Sequence, residues 1–174
     1  MMDLITLAII SFLYILPAYI ANSSAALFGG GLPLDLGRKL GKHRILGDGK
    51  TFRGLALGIL FGTAAGNVIG YVIIGTGFSL GSIWSYTILG FLLSGGAMAG
   101  DLIKSFFKRR LGYKRGQMLP VIDQLDFIIG SIALGSLAYI PSLETVIFLI
   151  IITPLIHLLL NVIGFLLKLK KVPW

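Results

Sequence analysis

Cysteine is absent, histidine occurs twice and acidic residues number only seven in the 174-residue chain. The missing cysteine excludes disulfides, thiolate metal sites and cysteine nucleophiles, and leaves the compartment open. Charge is scarce as well. Charged residues make up 13 % and hydrophobic ones 56 %, against about 25 % and roughly 45–50 % in ordinary globular domains, so a soluble domain is excluded. What fills the chain is a series of long apolar runs: Leu4–Leu27, Gly54–Ile74, Ile83–Gly100, Pro120–Ile140 and Thr145–Leu167, each of 18 to 24 residues and free of Lys and Arg. At about 1.5 Å per residue each can cross a bilayer core of ~30 Å. The first run lacks a basic leader and exceeds the ~7–15 residues of a signal core, so it is expected to stay in the mature protein.

The sequence therefore predicts an all-α, polytopic integral membrane protein with five transmembrane helices, residues 1–174 forming a single membrane domain. Orientation follows from the 15 basic residues. Arg38, Lys39, Lys42, Arg44, Lys50 and Arg53 lie between runs one and two, Lys104, Lys108, Arg109, Arg110, Lys114 and Arg115 follow run three, and Lys168, Lys170 and Lys171 come last. Five crossings place all three groups on one side. The positive-inside rule makes that side cytoplasmic and the N-terminus external. Segments 28–53, 101–119 and 168–174 then build the candidate active-site face of a multi-pass protein of the cell membrane. The net charge of +8 belongs to that face, where topology signalling and anionic headgroups account for part of it.

Five of the seven acids (Asp35, Asp48, Asp101, Asp123 and Asp126) join the same face. Asp123 and Asp126 share a helix face at i, i+3, in the first turns of a helix opened by Pro120; Asp101 and Ser105 share another at i, i+4 on the extension of run three. Carboxylates at membrane depth are costly unless paired with cations or metal. An oxygen-only cluster in a cysteine-free chain suits a hard divalent cation such as Mg²⁺, and a ring of Lys and Arg around it suits nucleotide phosphates, hence nucleotidyl or phosphoryl transfer. Gly47-Asp48-Gly49-Lys50-Thr51 echoes a P-loop, but Arg44 stands where that pattern needs glycine. Gly54, Gly58, Gly62, Gly66 and Gly70, and the small residues of 95–100, read as helix-packing surfaces, and Thr153, His157 and Asn161 beside Pro154 as an interhelical polar stripe.

Gly100-Asp101-Leu102 followed by Lys104, Ser105, Lys108-Arg109, Lys114, Pro120 and the closing Asp123-x-x-Asp126 resembles the C-terminal signature of the CTP-dependent phosphatidate cytidylyltransferases. The bacterial-type block before the aspartates is replaced here by Gln117-Met118-Leu119-Pro120-Val121-Ile122. That replacement, the stretch Leu46–Gly54 and Asn22 are similar to the archaeal branch, the CDP-archaeol synthases, over essentially the whole chain. The resemblance implies transfer of CMP from CTP to unsaturated archaetidic acid, 2,3-bis-O-geranylgeranylglycerol 1-phosphate, with Mg²⁺ as cofactor. It implies metal binding by Asp101, Asp123 and Asp126, phosphate binding by Lys104, Lys108, Arg109, Lys114 and Arg115, and orientation of a phosphate oxygen or metal-bound water by Ser105. An opposite wall would come from Asp48, Lys50, Thr51 and Arg53, with Asn22 toward the nucleotide or a helix partner. The implied partners are CTP, an isoprenoid ether lipid phosphate and membrane lipids, with no nucleic acid; a homodimer is an allowed assembly. A CDP-alcohol phosphotransferase would need Gly after the second aspartate, where Phe127 stands. A small non-enzymatic carrier or channel is the alternative, one that would carry ionisable groups near mid-membrane or a repeated half.

Overall fold

A computed structural model describes residues 3–74, 81–113, 117, 119, 121–166 and 168. Five helices follow in order: α1 (Leu4–Phe28), α2 (Phe52–Ile73), α3 (Ile83–Arg110), α4 (Ile122–Gly135) and α5 (Leu143–Leu166). Between α1 and α2 the chain forms a two-residue antiparallel ladder of β1 (Lys39–Leu40) and β2 (His43–Arg44), an addition to the expected all-helical chain. By length and composition α1, α2 and α3 are apolar enough to cross a membrane. Exposed apolar side chains coat every helix, among them Ile5, Val72, Trp84, Ile129 and Leu155, as befits a surface facing lipid. Asp3 caps α1 through its carboxylate, which accepts from the Thr6 N–H at 3.0 Å. Thr51 caps α2, its hydroxyl accepting from the Gly54 and Gly30 N–H groups at 3.1 and 3.2 Å.

Lipid tails are as apolar as leucine, so membrane helices associate through close packing and hydrogen bonds rather than hydrophobic burial. The expected glycine surfaces do this here. A Cβ at Gly58 would meet the Ala21 carbonyl of α1 and the Met98 sulfur of α3, each at 2.9 Å, and one at Gly66 would meet the Gly90 Cα of α3 at 2.7 Å, so α2 lies backbone-close to both neighbours. Asn67 Nδ2 donates to Thr87 Oγ1 at 2.7 Å between α2 and α3. Tyr19 and Thr153 share a hydrogen bond of 2.8 Å between α1 and α5, the interhelical role expected of the Thr153 stripe; the side chains of His157 and Asn161 lie outside the described set. The core is centred on Tyr14, Ile15, Leu93, Phe127, Ile128 and Leu149.

The fourth run differs from expectation. Hydropathy extends it from Pro120 to Ile140, whereas α4 has 14 residues and is about 21 Å long. Its end is local chemistry that hydropathy does not register: the Ser136 hydroxyl turns back to the Ile132 carbonyl at 2.6 Å, and Pro141 biases Ile140 away from helical backbone. By contrast α3 continues beyond its apolar run to Arg110, and its last turn carries Lys108, Arg109 and Arg110, where cations oppose the helix dipole.

Candidate active site

Two glycine contacts fix the floor of the site. A Cβ at Gly96 would lie 2.2 Å from the Gly130 carbonyl oxygen, and one at Gly100 would lie 2.2 Å from the Asp126 carbonyl oxygen. Only hydrogen fits there, so α3 and α4 touch backbone to backbone, and Asp101, next in chain after Gly100, arrives level with Asp126. On α3, Asp101, Lys104, Ser105 and Lys108 fall at i, i+3, i+4 and i+7, one helical stripe. It faces the acids of α4.

The stripe and those acids form a chain of alternating charge. Lys104 Nζ lies 3.3 Å from Asp101 Oδ1, 3.6 Å from Asp123 Oδ1 and 2.8 Å from Asp126 Oδ2. Lys108 donates to both oxygens of Asp123 at 3.0 and 2.9 Å and to the Gln117 carbonyl at 2.5 Å. Lys50, from the loop before α2, closes the other end on Asp101 Oδ2. Asp123 Oδ2 also accepts from the Leu119 N–H at 2.7 Å, which folds the start of α4 onto its own carboxylate. Three ammoniums thus balance three carboxylates in a largely buried setting. Such a set is tolerated because its members pair, and removing one leaves its partner buried and uncompensated.

Among the described residues no three carboxylates or histidines come close enough to share one ion directly; the Lys104 ammonium stands between the three acids. The donor set nevertheless fits a hard cation. All three acids offer carboxylate oxygen, and the buried Asp126 carboxylate meets the Lys104 ammonium at 2.8 Å through Oδ2.

Beside the Lys50–Asp101 pair lies a cavity of about 170 Å³ between α1, the first loop, α2 and α3, lined by Asn22, Gly49, Lys50, Thr51, Met98 and Asp101 among others. The buried Ser105 lies on the α3 stripe. Arg109 runs alongside Gly47, its Nε buried without a hydrogen-bond partner. Asp48 turns away to Arg44 at 2.6 Å with its side chain 58 % exposed. Arg53 is exposed on the first turn of α2. Lys114 and Arg115 lie outside the described residues.

The family model of the CarS-like CDP-archaeol synthases matches residues 1–174. The chain belongs to the CDP-archaeol synthase family. Relatives bearing that name include one from Methanopyrus kandleri, 52 % identical over 92 % of this chain and 90 % of its own length, and one from Methanocaldococcus jannaschii, 43 % identical over 92 % and 94 %. A solved structure described as an intramembrane enzyme for archaeal membrane lipids biosynthesis superposes with a TM-score of 0.76 at 36 % identity, covering 87 % of this chain and 92 % of its own. The resemblance read from residues 100–126 and 46–54 is borne out, and this family member is a membrane protein by its apolar helices and its intramembrane neighbour.

Three residues of the first loop and of α3 organise this synthase-family site without having been singled out by the sequence. Asp35 takes a two-pronged grip from Arg44, Nε to Oδ2 at 3.1 Å and Nη2 to Oδ1 at 2.5 Å, and accepts the N–H groups of Leu46, Gly47 and Gly37 at 3.0, 2.9 and 3.2 Å. The guanidinium beside it, with those amides assisting, holds its carboxyl well below the usual carboxylate range. Arg110 grips the carbonyls of the β-hairpin. A usable signal for the hairpin was Gly41, whose φ of +65° serves the two-residue turn between β1 and β2. Nothing in a run of basic residues separates Arg110 from its neighbours.

Proposed function

We propose that this CDP-archaeol synthase family member transfers CMP from CTP to unsaturated archaetidic acid, releasing pyrophosphate and forming CDP-archaeol, at the cytoplasmic face of the cell membrane. The carrying observation is the meeting of Lys50, Lys104 and Lys108 with Asp101, Asp123 and Asp126, drawn from three chain segments to one end of the helices. Their common location at a helix end favours surface chemistry on a soluble nucleotide over a mid-membrane conduction path. In this reading the chain crosses five times, the fourth crossing being completed beyond the 14-residue α4 by residues 136–140, with the N-terminus outside and the three basic segments facing the cytoplasm.

A lipid phosphomonoester, with a second pKa of about 6 by analogy with phosphorylated side chains, is largely dianionic near neutral pH. One of its oxygens attacks the α-phosphorus of CTP. The new P–O bond forms as the bond from the α-phosphorus to the α–β bridging oxygen breaks, and that electron pair leaves with pyrophosphate; no side chain has to take a proton. The protein's work is positioning and charge neutralisation. Lys50, Lys104 and Lys108 exchange carboxylate partners for phosphate oxygens, Arg109, Lys114 and Arg115 add charge around the triphosphate or lipid phosphate, and Ser105 orients a phosphate oxygen. Asn22 and Thr51 face the nucleotide from the cavity, and Asp48 and Arg53 support that wall. Asp101, Asp123 and Asp126 would hold Mg²⁺, which neutralises phosphate charge when bound.

The test is purified protein in detergent micelles with Mg²⁺, α-labelled CTP and unsaturated archaetidic acid, beside Asp123→Asn and a no-lipid control. Label moving into the lipid phase with pyrophosphate release, and lost in the variant, is the expected result. Folded protein that gives no product overturns the reading.

A further inference from the structure

Arg110 ends α3, and its guanidinium leaves the charged stripe for the first loop. Nη1 donates to the Leu40 carbonyl at 2.7 Å, and Nη2 to the carbonyls of Arg44 at 2.6 Å and His43 at 3.4 Å. The guanidinium carbon sits 5.2 Å from the centre of the Phe106 ring, one turn back on α3. A planar fork stacked on an aromatic face and aimed at three carbonyls around one hairpin turn is a geometry that an ammonium does not reproduce.

From that grip the chain is pinned almost residue by residue up to Lys50. The Ile45 N–H donates to the Arg38 carbonyl at 3.1 Å, Leu46 and Gly47 donate to Asp35, the Lys50 N–H reaches the Gly47 carbonyl at 3.3 Å, and the Lys50 carbonyl accepts from Leu34 at 2.8 Å. The Lys50 ammonium then returns to α3 at Asp101, nine residues before Arg110 and so about 14 Å away along the helix. The first loop is therefore anchored on α3 at two points. One anchor, Asp101, belongs to the charge cluster; the other touches none of it.

We propose that Arg110 is a positioning residue: by holding the β-hairpin on the end of α3 it sets the height at which Lys50 meets the nucleotide phosphates. The role rests on the reading that Lys50 contacts CTP. Arg110→Ala raises the KM for CTP about tenfold while leaving the KM for the lipid, and kcat, within about twofold, the pattern of a lost binding geometry for one substrate. Arg110→Lys recovers little of it, because one ammonium cannot serve three carbonyls. In a Lys50→Ala background, Arg110→Ala adds less than about twofold, because the two changes remove the same interaction.

A second measurement is independent of activity. Lys39 and Lys42 are exposed on the hairpin, so cleavage of the micellar protein by a lysine-specific protease, followed by mass spectrometry, reports how firmly the hairpin is held. Arg110→Ala accelerates cutting at these two sites and not in the helices. Unchanged cleavage overturns the clamp. Faster cleavage with an unchanged KM for CTP overturns the positioning role, as does an effect that multiplies with that of Lys50→Ala. If the wild-type protein shows no CTP-dependent activity, the proposed function has failed, and the clamp is judged on cleavage alone.

Discussion

The α3–α4 junction and the first loop both deliver charge to the same cluster, and they are held by opposite means. At the junction the backbones touch at Gly96, Gly100 and Gly130, with no side chain between them to give way. The loop instead rests on charge-assisted hydrogen bonds: Arg44 on Asp35, Arg110 on the hairpin carbonyls and Lys50 on Asp101. Steric contact in a packed interior is stiff, whereas a charge-assisted hydrogen bond can change partner provided another anion takes the place of the first. The carboxylates therefore sit on the fixed half of the site. Lys50, which under the proposed function changes partners when phosphate arrives, sits on the adjustable half.

The largest expected effect comes from breaking the fixed half. Gly130→Leu must push α4 off α3 and carry Asp126 away from Asp101; turnover per folded molecule falls by roughly hundredfold or more, and a thermal-shift measurement shows a lowered Tm. Asp126→Asn leaves the packing intact and removes a charge that pairs with Lys104. It should cost a similar factor in kcat with unaltered elution from size-exclusion chromatography, and near-normal turnover would remove Asp126 from the site.

On the adjustable half the effects are smaller and selective. Lys50→Ala raises the KM for CTP about tenfold, in line with one lost charge-assisted hydrogen bond at roughly 1.5–3 kcal/mol, and steady-state kinetics at saturating lipid reads it. Asp35 gives the loop a pH response of definite sign. Its carboxyl is held below the usual range in the folded state, so the stabilisation is fully present above the unfolded carboxylate value of about 3.9 and is lost as pH falls below that value through the depressed one. Acid should lower the hydrogen-exchange protection factors of residues 35–47 before it affects those of the α3–α4 junction, and Asp35→Asn should show that lowered protection already at neutral pH. The smallest effect is expected at Val121, a half-exposed β-branched residue held at φ +68° at the start of α4. Asn tolerates this backbone better, so Val121→Asn keeps activity within twofold and does not lower Tm.

Much of the site was legible because charge is so rare in this chain. With few acids and long neutral runs, the positions of Asp101, Asp123 and Asp126 stand out, and the i+3 and i+4 spacings place them on helix faces without any structure. The glycine series declared a close-packed surface for the same reason of regular spacing. The end of α4 was not legible, because Ile140 is as apolar as Ile132 and only the Ser136 hydrogen bond and Pro141 separate helix from turn. Which way the side chains beside Lys50 point was not legible either: Asp48 pairs with Arg44 and Arg53 is exposed, because neighbours in sequence near a helix start point in different directions.

By itself the sequence determined that the protein is a helical membrane protein with its charge gathered into a few segments, because partition into lipid and helical periodicity are properties of short stretches. It also determined the family, through two separated motifs. Only the tertiary structure decided that Lys104 stands among three carboxylates, that Lys50 crosses from another loop to Asp101, and that Arg110 serves the hairpin rather than the cluster. These are contacts between segments up to seventy residues apart, and their partners are chosen by how closely the helices approach and by where the first loop folds back on α3, which no local pattern of charge contains.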